Sequence, residues 1–420
     1  MAATSGTPGT PGPTGTPDTP GPTGPPGTPR VLRAMNDRAA LDLLLAHGAL
    51  SRTRIGALTG LSKPTASQLL ARLQAAGLVL ATGTSGGRPG PNAQLYTVNP
   101  GAAHAAGLDV TPARIRAAVA DLTGRTVGAY ELPTPARHDR PVVRQVTDAL
   151  DGAVKAAGLV RGDVHRLVVG TPGAFDPGTG RLRYASHLPG WHAPGLLGEL
   201  AAALPMPVEY ENDVNLVAVA EQRLGAARGH GDFVLLWNEG GLGAALVLGG
   251  RLHRGFTGGA GEVGFLPVPG APLVRRVTRA NSGGYQALAG SRAIVALARE
   301  LGVRPVPGGP PAEAAAALLA RAAEADEEPH RRLLQTYATS LATGLASLVS
   351  VLDPELVVLS GAALASGGEP LRALVRAELA ELAASRPRLV LGAVRETPVL
   401  RGALESALAA TRDEVFDTSR

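Results

Sequence analysis

VEYENDVNLVAVAE, residues Val208 to Glu221, is the stretch that most directly indicates the fold of this chain. A short apolar strand runs into Glu211-Asn212-Asp213, and the spacing after it favours a helix. Asn212 or Asp213 can cap that helix by accepting hydrogen bonds from its first N–H groups. Open α/β sheets bind ligands where a strand meets a helix, and two adjacent polar side chains suit the hydroxyls of a small polyol. A helix cap without a ligand is the commoner use of such residues, so other segments have to decide between the two.

Length and composition narrow the class of protein. The chain has 420 residues, 45% of them hydrophobic, which suffices for two or three domains with sizeable cores. It has no cysteine, which excludes disulfides and thiolate metal sites. No apolar run is long enough to span a membrane, and the N-terminus lacks the basic-then-apolar pattern of a signal peptide. We therefore expect a cytoplasmic protein with no membrane partner.

The basic charge is concentrated in one segment. Residues 30 to 99 hold eight basic and two acidic side chains, whereas the net charge of the whole chain is +5. The remaining residues are therefore close to neutral. A local excess of this kind is expected of a segment that meets nucleic acid, although chance clustering could also produce it.

The basic segment has the order of a winged helix-turn-helix. Residues 1 to 29 are mostly Gly, Pro and Thr, and we expect them to be disordered. A helical pattern starts at Arg30; Ser51 and Ser62 can cap two further helices, with Thr59-Gly60-Leu61 as the turn between them. Two strands around a Gly-rich loop, residues 83 to 92, form the predicted wing. We assign residues 30 to 99 to this domain, which is predicted to bind double-stranded DNA.

The predicted DNA contacts are small, polar or basic side chains on the second helix of the pair and its cap, at the start of the first helix of the pair and on the wing. Arg88 on the wing could enter the minor groove. The same helix face could also be merely solvated. The predicted contacts are Arg52, Ser62, Lys63, Thr65, Ser67, Gln68, Arg72 and Arg88.

From Ala105 onwards, strands and helices alternate as in a two-lobed α/β protein. We expect residues 100 to 420 to form one unit, with lobe one at about residues 100 to 230 plus the C-terminal helix and lobe two at about 231 to 398. The predicted strands are 105–110, 115–121, 126–132, 166–170, 208–210, 233–237, 243–248 and 355–359. The predicted helices include 141–157, 196–204, 312–325 and 329–351, with another starting at Ser291.

This layout resembles the ROK family, which contains repressors, open reading frames of unknown role and sugar kinases. The resemblance runs from about Arg30 to the C-terminus and rests on the order and spacing of short motifs. These are Gly170-Thr-Pro-Gly173, Leu188-Pro-Gly-Trp191, Glu211-Asn-Asp213, Gly243 through Gly255, Gly259-Ala-Gly-Glu-Val-Gly264, Leu352-Asp-Pro-Glu355 and Ser360-Gly361. It implies a multi-domain protein: an all-α winged helix-turn-helix domain, then an actin-like (ribonuclease H-like) two-lobed α/β sugar-kinase fold.

Two phosphate loops depart from the pattern of the kinase members. Where those members carry a DxGGT turn, this chain keeps Asp109 but has Pro112, which lacks an N–H group. The second loop, GTGxG in kinases, begins with Glu239 here. A carboxylate near a polyphosphate is repulsive, unless Glu239 is salt-bridged and points away. Together the departures predict that the chain is not an enzyme, has no catalytic residue and needs no cofactor.

The resemblance also implies residues for a sugar and for zinc. Asn212, Asp213 and Glu262 match the sugar-contacting residues of the family, and Asp213 matches its catalytic base. His187 stands where relatives often have Asn, and it could equally be structural. Phe265 replaces a zinc-binding His, and the stretch from Pro267 to Leu288 has no Cys, so we expect no metal. Phe265 itself could stack on a sugar ring or fill the space of the missing site.

These observations predict a DNA-binding transcriptional regulator, a repressor by its resemblance, whose kinase-like domain senses a small-molecule sugar. We expect it to act as a homodimer or homotetramer. Two alternatives stay open: an active ATP-dependent sugar kinase with a DNA-binding arm, and a regulator whose sensor domain only dimerises.

Overall fold

The computed structural model describes residues 29–84, 93–134, 141–176, 178–183, 188–274, 283–325 and 327–417. The first helix already includes Pro29, which the sequence pattern had assigned to the tail; residues 1–28 lie outside the described part. Two predicted site residues, Arg88 and His187, also lie outside it. Along the described helices, none combines the length and apolarity needed to cross a bilayer.

The N-terminal segment forms the predicted winged helix-turn-helix. Both predicted caps are present, since Ser51 Oγ accepts from the N–H of Arg54 at 3.3 Å and Ser62 Oγ from that of Thr65 at 3.4 Å. Strand β2 extends to Thr84, two residues into the predicted loop, which was expected to start at Gly83. The three strands pair antiparallel in the order β1-β3-β2. The elements are α1 (Pro29–His47), β1 (Leu50–Ser51), α2 (Arg52–Thr59), α3 (Lys63–Ala75), β2 (Val79–Thr84) and β3 (Gln94–Val98).

Lobe one is a five-stranded sheet in the order β10-β7-β4-β5-β6, covered by helices on both faces. Apolar side chains of α4 and α5 cover one face, and those of α6 and α12 cover the other. A small hairpin, β8 with β9, was not predicted. The elements are β4 (His104–Val110), β5 (Arg114–Asp121), β6 (Thr126–Pro133), α4 (Val142–Ala156), β7 (Val164–Thr171), β8 (Ala174–Asp176), β9 (Arg181–Arg183), α5 (Leu196–Ala203), β10 (Val208–Asn212), α6 (Asp213–Leu224) and α12 (Pro398–Val415).

Lobe two is a second five-stranded sheet, in the order β13-β12-β11-β14-β15. One face packs on helices of its own lobe, while the other, including Phe233 and Leu235, joins the core formed by α6 and α12. Helices α6 and α12 therefore lie between the two sheets. The elements are β11 (Phe233–Asn238), β12 (Leu242–Leu248), β13 (Arg251–His253), α7 (Gly284–Ala289), α8 (Ser291–Glu300), α9 (Pro311–Glu324), α10 (Glu328–Leu352), β14 (Leu356–Ser360), α11 (Ala362–Leu382) and β15 (Arg388–Leu391). The predicted fold class is confirmed.

The winged domain packs directly on lobe one. Phe416, just after α12, is 1% exposed and belongs to the same core as Leu41 of α1 and Leu122 of lobe one. Arg38 of α1 donates to Asp413 of α12 at 2.8 Å, and its guanidinium lies 5.5 Å from the centre of the Phe416 ring. The end of α12 therefore joins the winged domain to the lobe that carries the strand-to-helix turn at Asn212.

Candidate functional site

The turn between β10 and α6 is fixed by its own side chains. Asn212 Oδ1 accepts from the N–H groups of Val214, at 2.9 Å, and Asn215, at 3.2 Å, so Asn212 is the helix cap. Its Nδ2 donates to the carbonyl of Gly173 at 2.9 Å. These contacts hold the Asn212 amide in one orientation and set Asp213 at the first position of α6.

Glu211, which the sequence did not assign to a site, stabilises this turn by hydrogen bonds. Its carboxylate accepts from the Asn212 N–H at 2.9 Å and from Asn215 Nδ2 at 2.8 Å. It also accepts from Arg254 Nε of lobe two at 2.6 Å. In the sequence, only its position beside Asn212 and Asp213 indicated that Glu211 belongs to this site. The Glu211–Arg254 ion pair joins the two lobes next to the predicted sugar residues.

Glu262 reaches the same place from lobe two because of a glycine. Gly261 has φ +93°, and a Cβ there would lie 2.0 Å from the carbonyl oxygen of Ala244, so only glycine fits. Within the described residues, the Glu262 carboxyl has no hydrogen-bond partner. It is therefore available to a ligand.

Asp213, Asn212 and Glu262 line one end of a cleft of about 590 Å³ between the lobes. Phe265 lines the cleft as well, as do Pro112 and Glu239 towards the loops that correspond to the kinase phosphate loops. A cleft of this size suits a small organic ligand. The structure thus brings three of the four predicted sugar residues together.

The carboxyl groups at this end of the cleft influence one another. The pKa of Asp213 is raised to about 8, chiefly by burial and in smaller part by the nearby charges of Asp109 and Glu262. Burial likewise raises the pKa of Asp109 to about 6 and shifts the pKa of Glu262 upward. At neutral pH, Asp213 is therefore mostly protonated and can donate as well as accept a hydrogen bond.

At the opposite end of the cleft, the Glu239 carboxyl is engaged within the protein. Glu239 is neither salt-bridged nor free, because its Oε2 accepts from the N–H of Ala362, at the start of α11, at 2.6 Å. Ser291 Oγ donates to the Glu239 carbonyl at 2.9 Å and fixes the loop. Burial raises the pKa of the Glu239 carboxyl. Because Pro112 has no N–H and Glu239 already occupies that of Ala362, two backbone groups are withheld from the phosphates of ATP, while Arg292 is a basic side chain that also lines the cleft.

The zinc ligands of the family also have no counterpart here. Phe265 lines the cleft at the position of the His, and the chain has no cysteine. Over the described ranges, no group of three or more His, Cys, Asp or Glu side chains is arranged to hold a metal ion. The residues present therefore do not fit a zinc site.

The predicted DNA contacts on α3 fall into two groups. The side chains of Lys63 and Gln68 are exposed and have no polar partner in the described part of the chain. Thr65 is exposed too, but its hydroxyl lies 2.8 Å from that of Ser62. These side chains leave the outer face of α3 open to a partner.

The other group is engaged within the domain. Arg52 donates to Ser67 Oγ at 3.1 Å. Arg72 donates to Asp37 of α1 at 2.6 Å, and the Asp37 side chain is only 4% exposed. Arg72 therefore ties α3 to α1, a use that the helix pattern could not reveal because the partner lies 35 residues away.

Comparisons with known proteins agree with this architecture. Residues 105–408 match the model of the ROK family, and residues 35–88 match that of the MarR family. The chain is 25% identical to a xylose repressor of Caldicellulosiruptor bescii, over 79% of this chain and 84% of the repressor.

Two solved structures are similar over long stretches. A ROK hexokinase from Thermus thermophilus is 30% identical, with a TM-score of 0.62, over 74% of this chain and 99% of its own. A ROK family transcriptional regulator, a homologue of the E. coli MLC protein, has a TM-score of 0.71 at 19% identity, over 92% of this chain and 98% of its own. The second likeness, which concerns the fold alone, extends over most of the chain.

Proposed function

This chain belongs to the ROK family, and we propose that it is a DNA-binding transcriptional repressor whose kinase-like domain senses a sugar without phosphorylating it. The observation that carries the proposal is the contrast within the cleft. Asp213 and Glu262 remain available to a ligand, while Glu239 occupies the N–H of Ala362 at the other end.

The DNA-binding part of the proposal rests on α3. Thr65 and Gln68, three residues apart, share an exposed face of a helix that follows a tight turn at Gly60, as in recognition helices, and Lys63 is exposed at the first position of that helix. The predicted contact by Arg88 on the wing lies outside the described residues and stays a prediction. The relative named a xylose repressor supports a role in repression. We propose a homodimer or homotetramer in the cytoplasm, because two winged domains would read two half-sites.

The proposal that the kinase-like domain senses a sugar rests on the polar groups of the cleft that keep oxygens available. A protonated Asp213 and the Glu262 carboxyl can both bind hydroxyls of a pyranose or furanose ring, while Asn212 keeps its amide in place. A sugar bound here would contact α6 from lobe one and the loop after Gly261 from lobe two. It would therefore favour the arrangement of lobes in which both contacts exist.

A route from the cleft to the DNA-binding domain is present in the fold. Helix α6 starts at Asp213 and packs closely on α12, since a Cβ on Gly402 would lie 1.9 Å from the Leu216 carbonyl oxygen. Helix α12 in turn is followed directly by Phe416, inside the core of the winged domain. A shift of α6 would thus move the winged domain, which is what a change in DNA affinity requires.

The test combines ligand binding, DNA binding and phosphotransfer on the full chain. D-xylose and D-glucose are screened by calorimetry, and DNA affinity for a duplex selected from a random pool is measured with and without each sugar. We expect at least one sugar to bind and to change DNA affinity, with no ATP-dependent sugar phosphate formed. ATP-dependent product that disappears in Asp213→Asn would establish the kinase alternative, whereas DNA binding without any sugar response would favour the dimerisation-only alternative.

A further inference from the structure

Two short segments carry the chain between the lobes. Residues 225–232 lead from α6 to β11, and residues 392–397 lead from β15 back to α12. Any movement of one lobe relative to the other must bend both segments. We call them the first and second crossings.

A single buried carboxylate binds both crossings. Glu221, in the last turn of α6, is 0% exposed. Its Oε2 accepts from the N–H of Ala226 in the first crossing at 2.7 Å and from that of Ala393 in the second at 3.1 Å. Its Oε1 accepts from the N–H of Val394 at 2.9 Å. Hydrogen bonds from N–H groups to a buried carboxylate are among the stronger ones in proteins.

Two glycines allow the crossings to approach this carboxylate. A Cβ on Gly225 would lie 2.1 Å from Glu221 Oε2, and one on Gly392 would lie 2.8 Å from Oε1. Neither distance leaves room for a side chain. The close packing around Glu221 is therefore built into the backbone of both crossings.

Glu355 provides a contrast at the far end of the first crossing. Its Oε1 accepts from the N–H groups of Gly231, at 2.8 Å, and Asp232, at 3.2 Å. It belongs to lobe two and its side chain is half-exposed. These contacts hold one crossing and do not join it to the other.

We propose that Glu221 is a hinge clamp that makes the two crossings open and close together. If either crossing leaves the carboxylate, a buried charge loses part of its hydrogen bonding, which favours release of the other as well. The lobes would then move about one axis near Glu221 instead of bending at two independent points. This inference goes beyond the proposed function, because it concerns the protein without any ligand or DNA.

Native-state hydrogen exchange on the wild-type protein tests whether the two crossings open together. The amides of Ala226, Ala393 and Val394 should open in one event, with protection factors that agree within about threefold and the same dependence on denaturant. Protection factors that differ by more than about tenfold between the two crossings would overturn the clamp. This arm needs no variant and so does not depend on how a substitution affects folding.

Matched variants sharpen the result. In Glu221→Gln the side chain keeps its shape but offers one acceptor oxygen and turns an amide NH₂ towards N–H donors, so exchange in both crossings should become at least about tenfold faster. In Glu355→Gln only the first crossing should become faster, at Gly231 and Asp232. Amides of β14 serve as the control for global stability. Faster exchange at a single crossing in Glu221→Gln would contradict the proposal.

Discussion

The two ends of the cleft use their carboxyl groups in opposite ways. Asp213 and Glu262, at the end predicted to bind a sugar, are held in place by the backbone and keep oxygens available. Glu239, at the end where kinases hold phosphate, accepts from the Ala362 N–H and closes off a donor. A carboxylate that satisfies the start of a helix internally removes that site from any external anion. The family resemblance indicated this difference but left open how Glu239 is engaged, which its hydrogen-bond partner shows.

The same contrast recurs on α3. Lys63 is exposed and has no polar partner within the described residues, while Arg72 forms an ion pair with the buried Asp37. Both are basic residues on one short helix. Arg72, although its side chain is 41% exposed, is thus held by an internal partner, whereas Lys63 is not.

The largest expected effect separates the two ends of the cleft. Asp213→Ala leaves the bound sugar hydroxyl without its partner, which costs about 1–3 kcal/mol, so affinity for a bound sugar should fall roughly fivefold to a hundredfold. Glu239→Ala should change it less than about twofold, since its carboxylate faces Ala362. Calorimetry on both variants makes the comparison, and DNA affinity without sugar should be unchanged in each. Equal losses of sugar affinity in the two variants would show that the two ends of the cleft do not use their carboxyl groups differently.

A second test uses pH. Because folding raises the pKa of Asp213 from its ordinary 3.8 to about 8, the folded state binds more protons between these values. Stability therefore decreases as pH rises from about 4 to about 8, and this contribution is fully present only below the ordinary pKa. Asp213→Asn mimics the protonated acid and should flatten this decrease, leaving the part that comes from Asp109, Glu262 and Glu239, whose pKa values burial also raises. Thermal unfolding across that range measures it, and an unchanged pH profile would show that Asp213 is not shielded as the structure indicates.

A third test compares the two basic residues of α3. Lys63→Ala should weaken DNA binding and reduce the slope of log affinity against log salt by about one counterion. Arg72→Ala should leave that slope nearly unchanged and lower the stability of the fold by about 1 kcal/mol, because the link between α3 and α1 is lost. Salt titrations and denaturant unfolding provide the two readouts. A loss of slope in Arg72→Ala would mean that Arg72 leaves Asp37 to meet phosphate.

The smallest expected effect concerns the joint between the domains. Asp413→Asn removes the charge partner of Arg38 at the surface, which contributes about 0–1 kcal/mol. We expect sugar affinity and DNA affinity, each measured alone, to stay within about twofold. The ratio of DNA affinity with and without sugar should move towards one. The change should be slight, because Phe416 still fills the core between the domains. A large change in sugar affinity would instead place Asp413 in a different role.

The sequence by itself determined much of the fold because its signals are local. Ser51 and Ser62 each cap the helix that follows by accepting from an N–H group three residues later, Gly60 supports the turn between the two helices, and apolar runs such as Phe233 to Trp237 form buried strands. The family motifs also located Asn212, Asp213 and Glu262, and the absence of cysteine was visible without any coordinates. Short segments such as β8, β9 and β13 were missed, since three residues carry too little periodic pattern.

Only the tertiary structure decided how individual polar groups are used. Arg72 and Asp37 are 35 residues apart, and Glu239 and Ala362 are 123 apart. The distance in sequence between Glu221 and Val394 is 173 residues. Judged only by its neighbours in the sequence, each of these side chains could equally have faced solvent or a ligand. Whether a charged group is free or engaged depends on which donor the packing of distant elements places within about 3 Å, and local sequence patterns do not contain that information.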